Sequence, residues 1–130
     1  MFHKKNLLTV AAFLASAAFC FAKPPKILVF SKTTSYYHEA IPNGVAAIQL
    51  LGKQYHFDVD TTKDAGMFTE DNLKQYAAVV FVNTADASST LLNETQQTAL
   101  MHFIEAGKGF VGIHAAADAE YHSFASFWSC

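Results

Sequence analysis

The sequence contains no arginine, so its nine basic side chains are all lysines, set against eleven carboxylates. Without guanidinium groups the protein lacks the bidentate donors that often clamp phosphate or carboxylate. The lysines also form no basic stripe of the kind that marks a nucleic-acid-binding protein. The composition therefore argues against nucleic acid as a partner.

Cysteine is scarce, and the motifs of common cofactor sites are missing. The two cysteines are Cys20 and Cys130, and the first lies in a predicted leader, so we expect no internal disulfide. No G-x-G-x-x-G follows the first predicted strand, and there is no P-loop. Two histidines with Asp118 or Glu39 would offer ligand types for zinc, but no H-x-x-x-H or C-x-x-C spacing supports them. We therefore predict no metal site and leave the cofactor undetermined.

The first 22 residues have the pattern of a secretory signal. A basic start at Lys4 and Lys5 precedes an apolar stretch from Leu7 to Phe21, and small residues stand near a plausible cut after Ala22. This stretch is shorter than the ~20 residues a membrane span needs, so we favour cleavage over an anchor. The mature chain, with seven lysines against eleven carboxylates, is predicted to be secreted or periplasmic, with no stable membrane span.

The mature chain, residues 23–130, is predicted to form part of one α/β domain. Short runs rich in Val, Ile and Phe alternate with segments of helical spacing, which indicates a parallel sheet in a three-layer, flavodoxin-like or Rossmann-like fold. One helix is predicted from about Pro42 to Leu51, with Gly52 as its stop, and Thr69 and Asn93 are predicted to cap later helices. The predicted strands are Lys26–Phe30, about His56–Val59, Ala77–Val82 and Gly109–Ile113.

Polar and ionisable residues follow three of these strands. Parallel strands gather their carboxyl ends at one edge, where such folds bind ligands. We expect the pair His38 and Glu39 to converge with His114 and Asp118 if the first and fourth strands are neighbours. The residues that follow the three strands are Ser31, Tyr36, Tyr37, His38 and Glu39, then Asn83, Thr84 and Asp86, then His114, Asp118, Glu120 and Tyr121.

Each candidate also has a structural interpretation. His114 closes an apolar strand, and its structural interpretation is a core histidine that donates to a backbone carbonyl. The structural interpretation of His38 is a solvated loop residue. Asp118 is a residue type that often caps helices. Tyrosines such as Tyr37 and Tyr121 stack on sugar rings but serve more often in packing. His102, between apolar neighbours in a helix, is expected to be structural.

Several segments together resemble the ThuA-like family. They read F-S-K-T-T-S-Y-Y-H-E-A-I-P, F-T-E-D-N-L-K-Q-Y-A-A-V-V-F-V-N-T and F-I-E-A-G-K-G-F-V-G-I-H-A-A-A-D-A-E-Y, within a resemblance from about Lys26 to Tyr121. It implies a flavodoxin-like fold similar to the class I glutamine amidotransferases. It also implies a role in sugar metabolism, with trehalose or keto-sugars and glycosides as the associated substrates.

The chain departs from the patterns that this resemblance brings with it. Related amidotransferases carry a nucleophilic Cys in G-x-C-x-G, where this chain has G-I-H-A-A with His114, so the resemblance does not imply glutaminase activity. The family's G-Y-R-H is S-Y-Y-H here, and its H-A-A-T-D-T-E-Y has alanines at positions 117 and 119. Family domains are longer, so we expect this chain to be the N-terminal part of a ThuA-like domain, incomplete at its C-terminus.

Two functions remain open from the sequence. In the first, a sugar-processing enzyme of hydrolase or isomerase type acts on a small carbohydrate by proton transfer. In the second, the same edge belongs to a non-catalytic carbohydrate-binding domain or an inactive fragment. The distance between the two site histidines discriminates between them. The enzyme hypothesis assigns catalysis to His114, His38 and Asp118, and substrate binding to Glu39, Tyr37, Asn83 and Tyr121.

Overall fold

A computed structural model describes residues 23–85 and 91–117. The predicted signal at residues 1–22, and the candidates Asp86, Asp118 and Tyr121, lie outside these residues. Four parallel strands form one sheet in the order β2-β1-β3-β4, the order expected of a flavodoxin-like fold. The strands are β1 (Lys26–Phe30), β2 (Asp58–Thr62), β3 (Ala78–Val82) and β4 (Gly109–Ile113), and the α-helices are α1 (Ile41–Tyr55), α2 (Glu70–Leu73) and α3 (Glu94–Glu105).

Helices cover both faces of the sheet, which confirms the predicted three-layer α/β fold. On one face, Ile48 of α1 packs with Val29 of β1 and Val80 of β3. On the other face, Leu100 of α3 belongs to a cluster with Phe30 and ten other buried residues. Successive residues of a strand point to opposite faces, so an uninterrupted apolar run can fill both clusters.

The largest error of the sequence prediction concerns the end of α1. Gly52 does not stop this helix but lies buried within it. A Cβ at this position would come within 2.7 Å of Val59 Cγ2 and 2.8 Å of the Phe57 carbonyl oxygen, so only glycine fits without a shift of its neighbours. The glycine thus allows close approach of α1 to β2. The helix continues to Tyr55, and His56 ends it in the left-handed conformation at φ 59°. As a result β2 begins two residues later than predicted, at Asp58.

The two predicted N-caps are confirmed. Thr69 Oγ1 accepts a hydrogen bond from Asn72 N at 3.2 Å at the start of α2. Asn93 Oδ1 accepts from Gln96 N at 3.0 Å, and the Gln96 side chain accepts in return from Asn93 N at 2.8 Å. This reciprocal capping box fixes where α3 begins. Within the described residues no helix is both long and apolar enough to cross a membrane.

A polar cluster of three side chains links β1, β2 and the segment just before β3. Lys26 Nζ lies 2.6 Å from Asp60 Oδ2, and the buried Tyr76 hydroxyl donates to the same oxygen at 2.8 Å. Partial burial by itself raises the pKa of the Asp60 carboxyl, but the hydrogen bonds from Lys26 and Tyr76 and the Lys26 charge bring it below its usual value. Burial, the bond to Asp60 and its negative charge raise the pKa of Tyr76 to about 12.

Candidate functional site

The candidate site lies at the carboxyl ends of β1 and β3. These strands are neighbours, yet the chain leaves β1 for α1 on one face and leaves β3 for α3 on the other. The loops that follow the two strands therefore diverge to opposite faces of the sheet and leave a crevice between them. Open α/β sheets bind ligands in such a crevice. The sequence predicted a site at this edge of the sheet but did not predict that the crevice lies between β1 and β3.

The loop after β1 reaches across the end of β3. Thr34 N donates to the Ala85 carbonyl at 3.0 Å, which fastens the loop just beyond that strand. Thr33 Oγ1 donates to the Tyr36 carbonyl at 2.9 Å and shapes the following turn. This path carries His38 past β3 towards β4.

His38 and His114 come together at this edge. Their ring centroids are 4.8 Å apart with an interplanar angle of 84°, and the Tyr36 ring lies 4.8 Å from His38 on a similar edge-to-face geometry. His38 is half-buried and His114 is exposed, so the pair is accessible from solvent. The expected convergence of His38 with His114 therefore occurs, but for a different reason, because β3 separates β1 from β4 and the loop bridges the gap.

Two residues at this edge adopt a backbone conformation that L-amino acids avoid. Asn83 follows β3 at φ 50°, and His114 follows β4 at φ 56°. Asn83 N donates to the Ile113 carbonyl at 3.1 Å, so one sheet bond links the two turns. Strained positions of this kind cluster at functional sites, where surrounding structure holds them.

Buried polar side chains mark the same place. Within residues 23–85 and 91–117 the buried polar residues are Ser31, Asn83 and Thr84, and each directly follows β1 or β3. Thr84 is fully buried and its Oγ1 has no hydrogen-bond partner among the described residues. A buried hydroxyl without a partner is costly, and water or a ligand often supplies the missing bond. All three were predicted among the polar residues that follow the strands, but only Asn83 was assigned a binding role.

The remaining predicted site residues are less closely associated with the histidine pair. Tyr37 is 45% exposed, and Lys63 Nζ lies 5.8 Å from its ring centroid, which draws the tyrosine towards the end of β2. Glu39 is exposed in the segment before α1. His102, expected to be structural, is exposed on α3, where its Nδ1 lies 2.7 Å from Glu70 Oε1.

The histidine pair by itself falls short of a metal centre. Within residues 23–85 and 91–117 there is no group of three His, Cys, Asp or Glu side chains arranged to hold a metal ion. His38 and His114 supply two nitrogen ligands, whereas catalytic zinc sites use three protein ligands. The arrangement is suited to proton transfer through two neighbouring imidazoles.

Comparison with known proteins agrees with the fold. A solved structure of a putative ThuA-like protein from Bacteroides uniformis matches with a TM-score of 0.61 and 25% identity, over 82% of this chain and 45% of that one. This chain thus spans less than half the length of that relative. A search of curated proteins gave no significant match. The family model described as ThuA, trehalose utilisation, matches residues 26–129, and the chain therefore belongs to the ThuA family.

Proposed function

We propose that this ThuA domain acts on a small carbohydrate by acid–base catalysis, with His114 as the base and His38 as the acid. The observation that carries the proposal is the 4.8 Å separation of the two imidazole rings beside the β1 and β3 crevice. Histidine is the side chain most often used as a general acid or base. The family description, trehalose utilisation, supports sugars as the substrate class.

The favoured substrate is a keto-sugar or keto-glycoside, because its chemistry needs only an acid and a base. His114, the more exposed imidazole, removes a proton from the carbon next to the carbonyl. His38 donates a proton to the carbonyl oxygen, and an enediol results. The carbonyl moves by one position when a proton is added to the carbon that carried the original carbonyl and the hydroxyl on the other enediol carbon gives up its proton. No atoms are gained or lost, so this step is an isomerisation.

Polar groups around the pair provide binding partners for sugar hydroxyls. Asn83 and Thr84 are the first two residues after β3. The Thr84 hydroxyl makes no hydrogen bond to any of the described residues. Tyr36 is 68% exposed and stands against His38, where it offers an aromatic edge or face to a sugar ring. We assign Asp118, a catalytic residue in the sequence prediction, the role of orienting His114, and we assign Glu39 and Tyr121 the substrate-binding role that the sequence gave them.

The test follows exchange of the proton next to the carbonyl. Incubation of the purified protein with 3-keto-disaccharides in D2O should wash deuterium into that carbon, detected by NMR. His114→Gln and His38→Gln should each slow the exchange by at least about 100-fold, the size expected for loss of a general acid or base. His102→Gln is the matched control, because His102 lies on α3 outside the site and should leave exchange unchanged. Equal exchange by wild type and His114→Gln would remove His114 from the mechanism.

A non-catalytic carbohydrate-binding role is the second candidate, and exposed tyrosines favour it. Tyr36 and Tyr37 are 68% and 45% exposed beside the site, as sugar-stacking residues must be. Calorimetry with trehalose tests this role directly. Binding that Tyr36→Ala weakens, together with no deuterium exchange in any keto-sugar, would support binding alone and overturn the catalytic proposal.

A further inference from the structure

The loop that carries His38 is anchored at both of its ends beside the end of β3. Its near end is fastened by the hydrogen bond from Thr34 N to the Ala85 carbonyl at 3.0 Å. Its far end enters α1, where Ile41 N donates to the His38 carbonyl at 3.0 Å. The position of His38 therefore depends on where the first turn of α1 lies relative to β3.

The first turn of α1 has no capping side chain of its own. The N-cap residue is Ala40, whose methyl group cannot accept a hydrogen bond, and the first turn contains no acidic residue to complement the helix dipole. Pro42 in the same turn has no N–H to donate. The position of this turn is therefore set mainly by its packing against the sheet.

Gly44 brings this first turn into close contact with the last residue of β3. A Cβ at position 44 would lie 3.0 Å from Val82 Cγ1, which is closer than the optimal separation of two carbon atoms. Val82 is fully buried among the side chains that α1 covers, so it has little room to move aside. A side chain at position 44 therefore forces this turn or Val82 to shift by a few tenths of an ångström.

The same end of β3 also supports the turn that carries His114. Val82 is the sheet partner of Ile113, and the next residue, Asn83, donates its N–H to the Ile113 carbonyl at 3.1 Å. His114 follows Ile113 directly. The end of β3 is thus the common support of both imidazoles, and the first turn of α1 reaches it through Gly44.

We propose that Gly44 is a positioning residue for the histidine pair and acts through its close contact with Val82. The rings of His38 and His114 meet edge to face at 4.8 Å, so a small shift of the α1 turn changes how acid and base are aligned. A misplacement of about 1 Å can lower an enzymatic rate about 100-fold, and we therefore expect a shift of a few tenths of an ångström to lower it about tenfold. The effect on rate rests on the proposed function, whereas the effect on the ring contact does not.

The first test compares Gly44→Ala with a matched control in the same turn. Gly44→Ala adds the Cβ that meets Val82, whereas Asn43→Ala changes an exposed neighbour. Both substitutions favour the helix, so a difference between them reports the contact with β3 and not helix propensity. NMR of the imidazole protons, assigned with His38→Gln and His114→Gln, reads the ring contact, because each ring shifts the resonances of protons near it. These resonances should move in Gly44→Ala and keep their wild-type positions in Asn43→Ala.

Val82→Ala supplies a rescue that separates a positional effect from a loss of folding. In the double variant Gly44→Ala/Val82→Ala, the Cγ1 atom that the new Cβ meets is gone, so the helix turn regains its place. The imidazole resonances should then match those of the single variant Val82→Ala, because the effect of Gly44→Ala depends on that atom. Wild-type resonances in Gly44→Ala, or a change that persists when Val82 is shortened, would overturn the proposal.

Deuterium exchange into a 3-keto-disaccharide gives the second, catalytic readout. Gly44→Ala should lower kcat for exchange about tenfold and leave KM little changed, because acid and base are misaligned while the groups that bind the sugar are unaltered. The double variant with Val82→Ala should recover most of the lost kcat. An active wild type with an equally active Gly44→Ala would overturn the positioning role. If wild type shows no exchange, the proposed function fails, and the NMR comparison alone then upholds or overturns the role of Gly44.

Discussion

The polar cluster of Lys26, Asp60 and Tyr76 should contribute measurably to stability, and Tyr76→Phe isolates one of its bonds. Tyr76 is 1% exposed, and its hydroxyl donates to Asp60 Oδ2 at 2.8 Å. The substitution removes the hydroxyl and keeps the ring. Lost packing therefore adds little to the result.

The expected loss follows from the strength of the bond and the exposure of its acceptor. A hydrogen bond to a charged group contributes about 1.5–3 kcal/mol. The Asp60 side chain is 40% exposed, so water replaces part of the lost bond in the variant. We therefore expect the free energy of unfolding to fall by about 1–1.5 kcal/mol, at or just below the lower limit of the range for a charged acceptor.

The same bond predicts a pH dependence at the alkaline end. Unfolded tyrosine ionises near pH 10, whereas in the folded protein the pKa of Tyr76 is raised to about 12. Between these values the unfolded state binds fewer protons than the folded state, so this contribution to stability declines as pH rises. The difference in stability between wild type and Tyr76→Phe should therefore be constant below about pH 9 and shrink towards pH 12.

Urea unfolding followed by circular dichroism, repeated across this pH range, measures the difference. Tyr55→Phe is the matched control, because Tyr55 is 63% exposed at the end of α1 and should have little effect on stability. If Tyr76→Phe unfolds like wild type at neutral pH, or if Tyr55→Phe is equally destabilised, the assigned role of the bond is wrong. A difference that does not change with pH would refute the linkage to tyrosine ionisation.

Three further predictions concern other positions. In Asp60→Asn, the loss of stability relative to wild type should be largest above about pH 5. It should diminish as pH falls from the unfolded carboxylate pKa near 4 through the lowered folded pKa; acid titration of unfolding checks this. Gly52→Ala should lower the free energy of unfolding by about 1–3 kcal/mol, because its Cβ meets Val59 at 2.7 Å; a stabilised variant in urea unfolding would contradict this. His114→Gly should be about 1 kcal/mol more stable than His114→Ala, since glycine accepts φ 56° without strain, while both lose proton exchange; equal melting of the two would argue against strain.

The sequence was informative wherever local composition decides structure. Lys26–Phe30 and Gly109–Ile113 were predicted with the observed bounds, because each is a short apolar run between polar segments, a pattern typical of strands in parallel sheets. Thr69 and Asn93 were recognised as caps because a cap depends on residues within one turn. Such features need no knowledge of the rest of the chain.

Features set by distant contacts were missed. Gly52 has the local appearance of a helix stop, and only its packing against Val59 explains why the helix continues. Strand β2 has one strongly apolar residue in five, so its bounds follow from pairing with β1 rather than from its own composition. The histidine pair was anticipated from shared location at one edge, but the bridging of β3 by the loop after β1 rests on the bond from Thr34 to Ala85, which the sequence does not reveal.

The backbone at His114 separates a chemical role from a structural one. Of the non-glycine residues with positive φ in the described chain, His56 serves as a helix C-cap, and Asn83 is a residue type that tolerates this conformation. His114 does not end a helix, and a residue held in such a region costs about 1–3 kcal/mol. A core histidine would be buried, whereas His114 is exposed with its ring against His38. Glycine would complete the same turn at lower free energy, so packing gives no account of the imidazole, and the contact with His38 does.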